Sequence, residues 1–366
     1  MKITPFRLAV LSLALFGAAA AVQHSLFGRL GYLDLMHFEN PEQRALSLYL
    51  DGRYKDAEDY ISFYEGLPGV SAETSQALAP ILEAVREKRS SPAYQAVQLG
   101  KGFFLGDSDE AYGKTASVVS NFFVVGDVRD LATAGYNWAK DEPVDAFTTA
   151  ISAVGLGLAL LSAGPQAAAT EPAKMGLAVL KTAKRAGKIP PALERDIIST
   201  VRAAAKSEKP AAEAAAEMAK PLQALADYGR QEGLGAAMEA ASRSDSLAAI
   251  PRTIRAAEKL GDKGAAALRF CGKSVVPAVE KRGADEVLSV ARFGPDAVKQ
   301  LERMPAKAFL KDLSRWRRMA AEAVWRAARV ALFALQGFFA LASAALFALS
   351  AALRIGRWIG RRALRR

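Results

Sequence analysis

The sequence predicts an all-α, membrane-anchored helical protein, and three observations carry that expectation. Hydrophobic residues make up 51% of the 366 but aromatics only 8%, so alanine and leucine, both good helix formers, supply the apolar mass. From Val330 to Leu353 there are 24 residues without a charge. As a helix they extend about 36 Å, against a hydrocarbon core of ~30 Å. Glycine recurs every eleven residues at Gly261, Gly272, Gly283 and Gly294, a spacing that suits short helices each stopped by a residue tolerant of left-handed backbone.

Residues 1–28 read as a signal peptide or an N-terminal membrane anchor. Lys2 and Arg7 precede the apolar run Leu8 to Val22, and no charge follows before Arg29. Ala19 and Ala21 satisfy the small-residue rule for cleavage before Val22, yet the uncharged stretch is also long enough to remain in the bilayer. On either reading the positive N-terminal tail stays in the cytoplasm and the chain that follows is exported.

Residues 38–90 predict a helical hairpin plus a capping helix, Ser75 to Lys88. Tyr49-x-x-Gly52-x-Tyr54-x-x-Ala57, with Pro68 eleven residues on, resembles one tetratricopeptide unit. The resemblance implies an antiparallel helix pair with Ala45 and Ala57 at the crossing, Gly52 and Tyr54 at the turn, and Leu46, Leu50, Tyr60 and Ile61 in the seam. No second copy follows, so an extended peptide-binding array is not implied.

Residues 94–188 are apolar and punctuated by glycine. Phe147 to Ala163 is 17 residues interrupted by Gly155 and Gly157, short for a membrane span. Asp127 and Asp130, three apart, share a face if helical, with Arg129 beside them. They form a candidate functional polar cluster for proton or ion handling, and an N-cap and a structural ion pair are the alternatives. Lys174, Lys181, Lys184, Arg185 and Lys188 surround Met175, Leu177, Val179 and Leu180, a pattern for a cationic amphipathic helix on a lipid surface or for an ordinary solvated face. The run Val124 to Leu131 (VVGDVRDL), with VDAFTTAISAVGL after it, resembles a segment ahead of the toxic module in bacterial polymorphic toxins and in uncharacterised envelope proteins. That likeness implies membrane-proximal packing and no chemistry.

Residues 190–245 predict alanine-rich helices broken at Pro210, Pro221 and Gly229. Residues 250–304 hold the eleven-residue repeats, in which the fifth position is Ala265, Val276, Val287 or Val298 and the eighth Leu268, Val279, Val290 or Leu301. A basic juxtamembrane helix (305–329), the transmembrane helix (330–353) and a polybasic tail (354–366) complete the chain. Ala340, Ala344, Ala348 and Ala352 recur every fourth residue in the span, a spacing that lets another helix approach.

Charge and composition exclude several functions. The net charge is +11, but Arg303 to Arg366 holds 14 Lys/Arg and two acids, so the remainder is close to neutral. This basicity flanks a membrane segment, and a nucleic-acid partner is not expected. The two histidines are His24 and His37 and the one cysteine is Cys271, which removes a zinc site, a Ser-His-Asp triad or a Cys-His pair from the main body. Gly113-Lys114-Thr115 and Gly272-Lys273-Ser274 lack the first glycine of a phosphate loop. No catalytic, metal or cofactor-binding residue is therefore assigned, and no cofactor is expected.

The expectation is a non-enzymatic scaffold or adaptor in the bacterial inner (cytoplasmic) membrane, its body periplasmic or extracytoplasmic, its partners membrane lipid and other envelope proteins. The first alternative is a membrane-active or toxin-associated protein inserting a 118–163 hairpin into a bilayer. The second is a carboxylate-dependent cell-wall enzyme. Parity places the C-terminal tail back in the cytoplasm.

Overall fold

A computed structural model describes residues 5–23, 30–95, 145–162, 167–321 and 323–363. These contain seventeen α-helices and no strand. The first five are α1 (Pro5–Gln23), α2 (Gly31–Asp34), α3 (Pro41–Leu50), α4 (Tyr54–Glu65) and α5 (Ala72–Ser90). Next come α6 (Ala146–Leu161), α7 (Ala167–Arg185), α8 (Pro191–Ala204), α9 (Pro210–Glu232) and α10 (Leu234–Ser242). The glycine-spaced run supplies α11 (Ile250–Lys259), α12 (Gly264–Cys271), α13 (Val275–Arg282), α14 (Ala284–Ala291) and α15 (Pro295–Gln300). The chain closes with α16 (Ala306–Ala321) and α17 (Ala323–Ala363). Two compact units result, residues 1–36 with 307–366, and residues 37–306.

In the first unit α17 carries the apolar stretch. Ala327–Gly356 has a mean hydropathy of 2.0 and is long and apolar enough to cross a membrane. Helix α1 packs against it. The alanine stripe from Ala340 to Ala352 is exposed, so α1 uses a different face. Beside the pair, the Asp34 carboxylate accepts from Trp316 Nε1 at 2.8 Å and pairs with Arg329, while Tyr32 donates to Asp312 at 3.4 Å.

In the second unit α3, α4 and α5 form the expected hairpin and cap. Asn40 caps α3 by accepting from Gln43 N at 3.1 Å, and Ser71 caps α5 by accepting from Thr74 N at 3.2 Å. Gly52 makes the turn at φ 74°. Ala45 and Ala57 are fully buried at the crossing. The seam differs from expectation in two places: Leu46 and Leu50 are 45% and 72% exposed, and Leu48 is buried. On a helix, residues 45 and 48 share one side, and the 46/50 pair is rotated about 100° from Ala45.

Helix α6 lies against α7, α8 and α9. Its Phe147, Ile151, Val154 and Leu158 are buried inside the unit, so this apolar segment is a core helix of the second unit. Helix α9 runs unbroken through Pro221 and Gly229, contrary to the breaks expected there, and ends where Gly233 turns to φ 93°. A mid-helix proline costs about 3 kcal/mol. Burial of Ala214, Ala215, Met218, Leu222, Leu225 and Ala226 along the same helix offsets that cost.

The eleven-residue units fold as short helices. Gly261, Gly272, Gly283 and Gly294 all have positive φ, between 60° and 94°. The eighth-position residues Leu268, Val279, Val290 and Leu301 are all buried, as are Val276, Val287 and Val298 at the fifth. Ala265 is half-buried and faces a cleft.

Three glycines set how closely helices approach. A Cβ on Gly157 would strike the Ala211 carbonyl of α9, one on Gly176 the Leu222 carbonyl, and one on Gly264 the Ala257 carbonyl of α11. Gly157→Ala therefore has to separate α6 from α9, and it is expected to lower stability by about 1–3 kcal/mol in urea unfolding. Gly337→Ala, in open space on α17, should change it by less than about 1 kcal/mol.

Candidate functional site

The second unit holds a cleft of about 640 Å³. Helix α4 forms one wall, the α12 unit another and the α9–α10 junction a third, with Lys188 at the edge. Each wall exists for a local reason: α4 by its packing on α3 and α5, α12 by the Gly261 and Gly272 stops, and the junction by the positive φ of Gly233.

A charged network ties the walls together. Arg269 on α12 donates Nη1 to Asp59 Oδ2 at 2.9 Å, and its Nη2 pairs with Asp56. Asp56, 7% exposed, also accepts from Arg53 Nε at 2.7 Å. Lys55 reaches Asp59 at 3.1 Å. Behind them Arg243 donates Nε to Glu239 at 2.9 Å and Nη2 to the Arg269 carbonyl at 3.0 Å, fixing the strut that carries the guanidinium. Apolar support comes from Phe270, whose ring lies 5.1 Å from Tyr60 edge-on and 5.8 Å from Phe63. Lys188 and Glu232 border the same space, and neither enters an ion pair among the described residues. The arrangement offers both charge signs beside the Phe63 and Phe270 rings. No group of three or more His, Cys, Asp and Glu among the described residues is placed to hold a metal ion.

A second polar cluster lies where His37 to Asn40 meets the repeats. Glu39 N donates to the Phe293 carbonyl at 3.4 Å and His37 N to Asp296 at 2.9 Å. Burial raises the proton affinity of the Glu39 carboxyl, against the opposing pull of Arg44 at 3.4 Å, His37 and a hydrogen bond from Tyr60. Burial, with Glu39 nearby, pushes the Cys271 thiol up to about 12, so it stays a neutral core side chain.

The predicted site residues fare differently. Asp127, Arg129 and Asp130 lie outside the described residues. The cations of 174–188 are not one exposed face. Lys174 pairs with Glu171 at 2.7 Å. Lys184 pairs with Glu194 at 2.8 Å and sits 4.9 Å over the Phe147 ring. Burial, then the charge of Arg185, lowers Lys181 to about 8. Lys188 borders the cleft, and Arg185 is the exposed member. Sequence reasoning missed Asp56, Asp59, Glu239 and Arg269. The four-residue spacing of Lys55 and Asp59 was visible, but the partner Arg269 is 210 residues from Asp59.

No protein-family model, curated protein or solved structure matches the chain. The tetratricopeptide likeness and the likeness around Val124 to Leu131 thus stand on their own residues.

Arg269→Ala leaves Asp56 with Arg53 and Asp59 with Lys55 as their remaining partners described above, removes the charged link between α4 and α12, and is expected to cost about 1–3 kcal/mol in denaturant unfolding. Arg269→Lys should recover only part, because one ammonium cannot reproduce two separate nitrogens on two carboxylates. For Glu39 a raised folded-state proton affinity means that the folded state holds the proton more tightly. Its contribution is present below the ordinary carboxylate range and lost as pH rises through the folded value. The urea midpoint should therefore fall less between about pH 4 and about pH 7 in Glu39→Gln than in the parent chain.

Proposed function

We propose that the protein is a non-enzymatic scaffold or adaptor of the bacterial inner membrane, held there by α17 with its 37–306 unit on the periplasmic side, and that it binds other envelope proteins through the cleft. The observation that carries this reading is the cleft itself: three separate parts of the chain converge on a mixed-charge, aromatic-floored surface with Lys188 and Glu232 outside its ion-pair network. A peptide with complementary charges would add two charge-assisted contacts there without disturbing the Arg269 network. The apolar length of α17 supports membrane anchoring, with lipid as its other partner. The membrane-active alternative has less support, because α6, the described part of the 118–163 segment, already covers most of its apolar face with protein.

The reading is tested by placing a photo-crosslinking amino acid at Ala266, which lines the cleft, and at Glu87, which is exposed on α5. In living cells the Ala266 chain should give a protein adduct absent from the Glu87 chain and reduced at least about tenfold by Lys188→Glu, the cost of roughly one charge pair in a desolvated contact. Equal adducts from both positions, or an adduct indifferent to Lys188→Glu, would refute the cleft as the binding surface.

A further inference from the structure

Helix α1 does more in this structure than a removable leader needs to do. It lies along α17 in antiparallel sense: the Phe6 ring meets Phe347 at 6.0 Å and the Arg354 guanidinium at 5.0 Å, and six residues later Ser12 Oγ donates to the Phe339 carbonyl at 3.0 Å. The residues turned inward on α1 include Ala9, Ser12, Phe16 and Ala19, at intervals of three, four and three. Those turned inward on α17 include Leu332, Gln336, Phe339, Ser343, Leu346 and Ser350, at intervals of four and three. Both match the alternation of a coiled-coil seam, so the contact persists along the helices. Small and hydroxyl-bearing side chains at Ala9, Ser12, Ala19, Ser343 and Ser350 alternate in the seam with Phe16, Leu332, Gln336, Phe339 and Leu346, and such small positions let helices approach closely where lipid removes the hydrophobic drive.

The outward faces point the same way. Leu8, Leu11, Leu13 and Leu15 on α1, and Phe333, Phe338, Leu341 and Leu349 on α17, are exposed. Such side chains on every outer side of a helix pair match acyl chains. The apolar part of α1, Phe6–Ala21, is about 24 Å long, short of the ~30 Å hydrocarbon core, a mismatch that local bilayer thinning and snorkelling of the flanking basic side chains accommodate.

We propose that α1 is retained as a second spanning helix, and that α1 and α17 form one antiparallel two-helix membrane anchor with both chain ends on the cytoplasmic side. The proposal rests on the reading that α17 spans the membrane. Lys2 and Arg7 set the N-terminus inward, and an antiparallel partner brings the arginines from Arg354 onward to the same side.

The test uses the full chain in bacterial membranes. N-terminal sequencing and intact mass of the wild-type protein should show residues Phe6 to Val22 still present; a mature chain beginning at Val22 overturns the proposal. Second, Ser12→Cys with Ser343→Cys, in a Cys271→Ser background carrying a protease site in the exposed 205–209 turn, is treated with a short bismaleimide and then cut. The halves should stay joined at least about tenfold more than with Ser12→Cys and the outward Ala344→Cys, the margin expected of a fixed over a random encounter. Equal joining overturns the paired seam. Alkaline carbonate separates the failures: release of the chain from the membrane sinks the α17 reading, whereas an integral chain lacking α1 or its cross-link sinks only this proposal.

Discussion

The structure depends on close approach of helix backbones. A chain with few aromatics and many alanines has little side-chain volume to fill the space between helices, so its core closes only where the helices come near enough for small residues to touch. At Gly157, Gly176 and Gly264 the facing surface is a carbonyl of the neighbouring helix with no room for a methyl group. Helix α9 takes two of these contacts, from α6 and α7, and the layer that supports the cleft is organised around it. The same economy of volume governs the first unit, where Ala9, Ser12 and Ser343 occupy the seam between α1 and α17.

Much of the architecture was legible because it is written in local signals. Eleven-residue glycine spacing with apolar fifth and eighth positions specifies both where each short helix stops and which side it buries, and Gly261 to Gly294 follow it. The tetratricopeptide-like spacing placed Gly52, Ala45 and Ala57 correctly. Leu46 and Leu50 fall outside the seam because Ala45 and Leu48 define the buried phase of that helix, which an apolar side chain alone does not reveal. Pro221 misled for another reason: a proline penalty is local, whereas the burial that overrides it is tertiary.

The site was less legible than the fold. Its central arginine reads as an ordinary residue in a repeat unit, and its two carboxylates as an exposed face of a helical hairpin. Only the packing of chain segments more than two hundred residues apart turns them into one network. Conversely, the cations from Lys174 to Lys188 look like a membrane-facing surface in one dimension, while in three they are distributed among Glu171, Glu194, the Phe147 ring and the cleft edge. Charge patterning along a helix gives no account of what the neighbouring helices bring to it.

The uniform length of the glycine-bounded units constrains how this part of the gene can change. Inserting or deleting eleven codons leaves every later helix with its buried face in phase and its terminating glycine in place. An in-frame number that is not a multiple of eleven breaks the spacing between a glycine stop and the apolar positions it serves. The array is thus a segment that lengthens by duplication in whole units, and its own length is set by copy number and not by the sequence of any single unit.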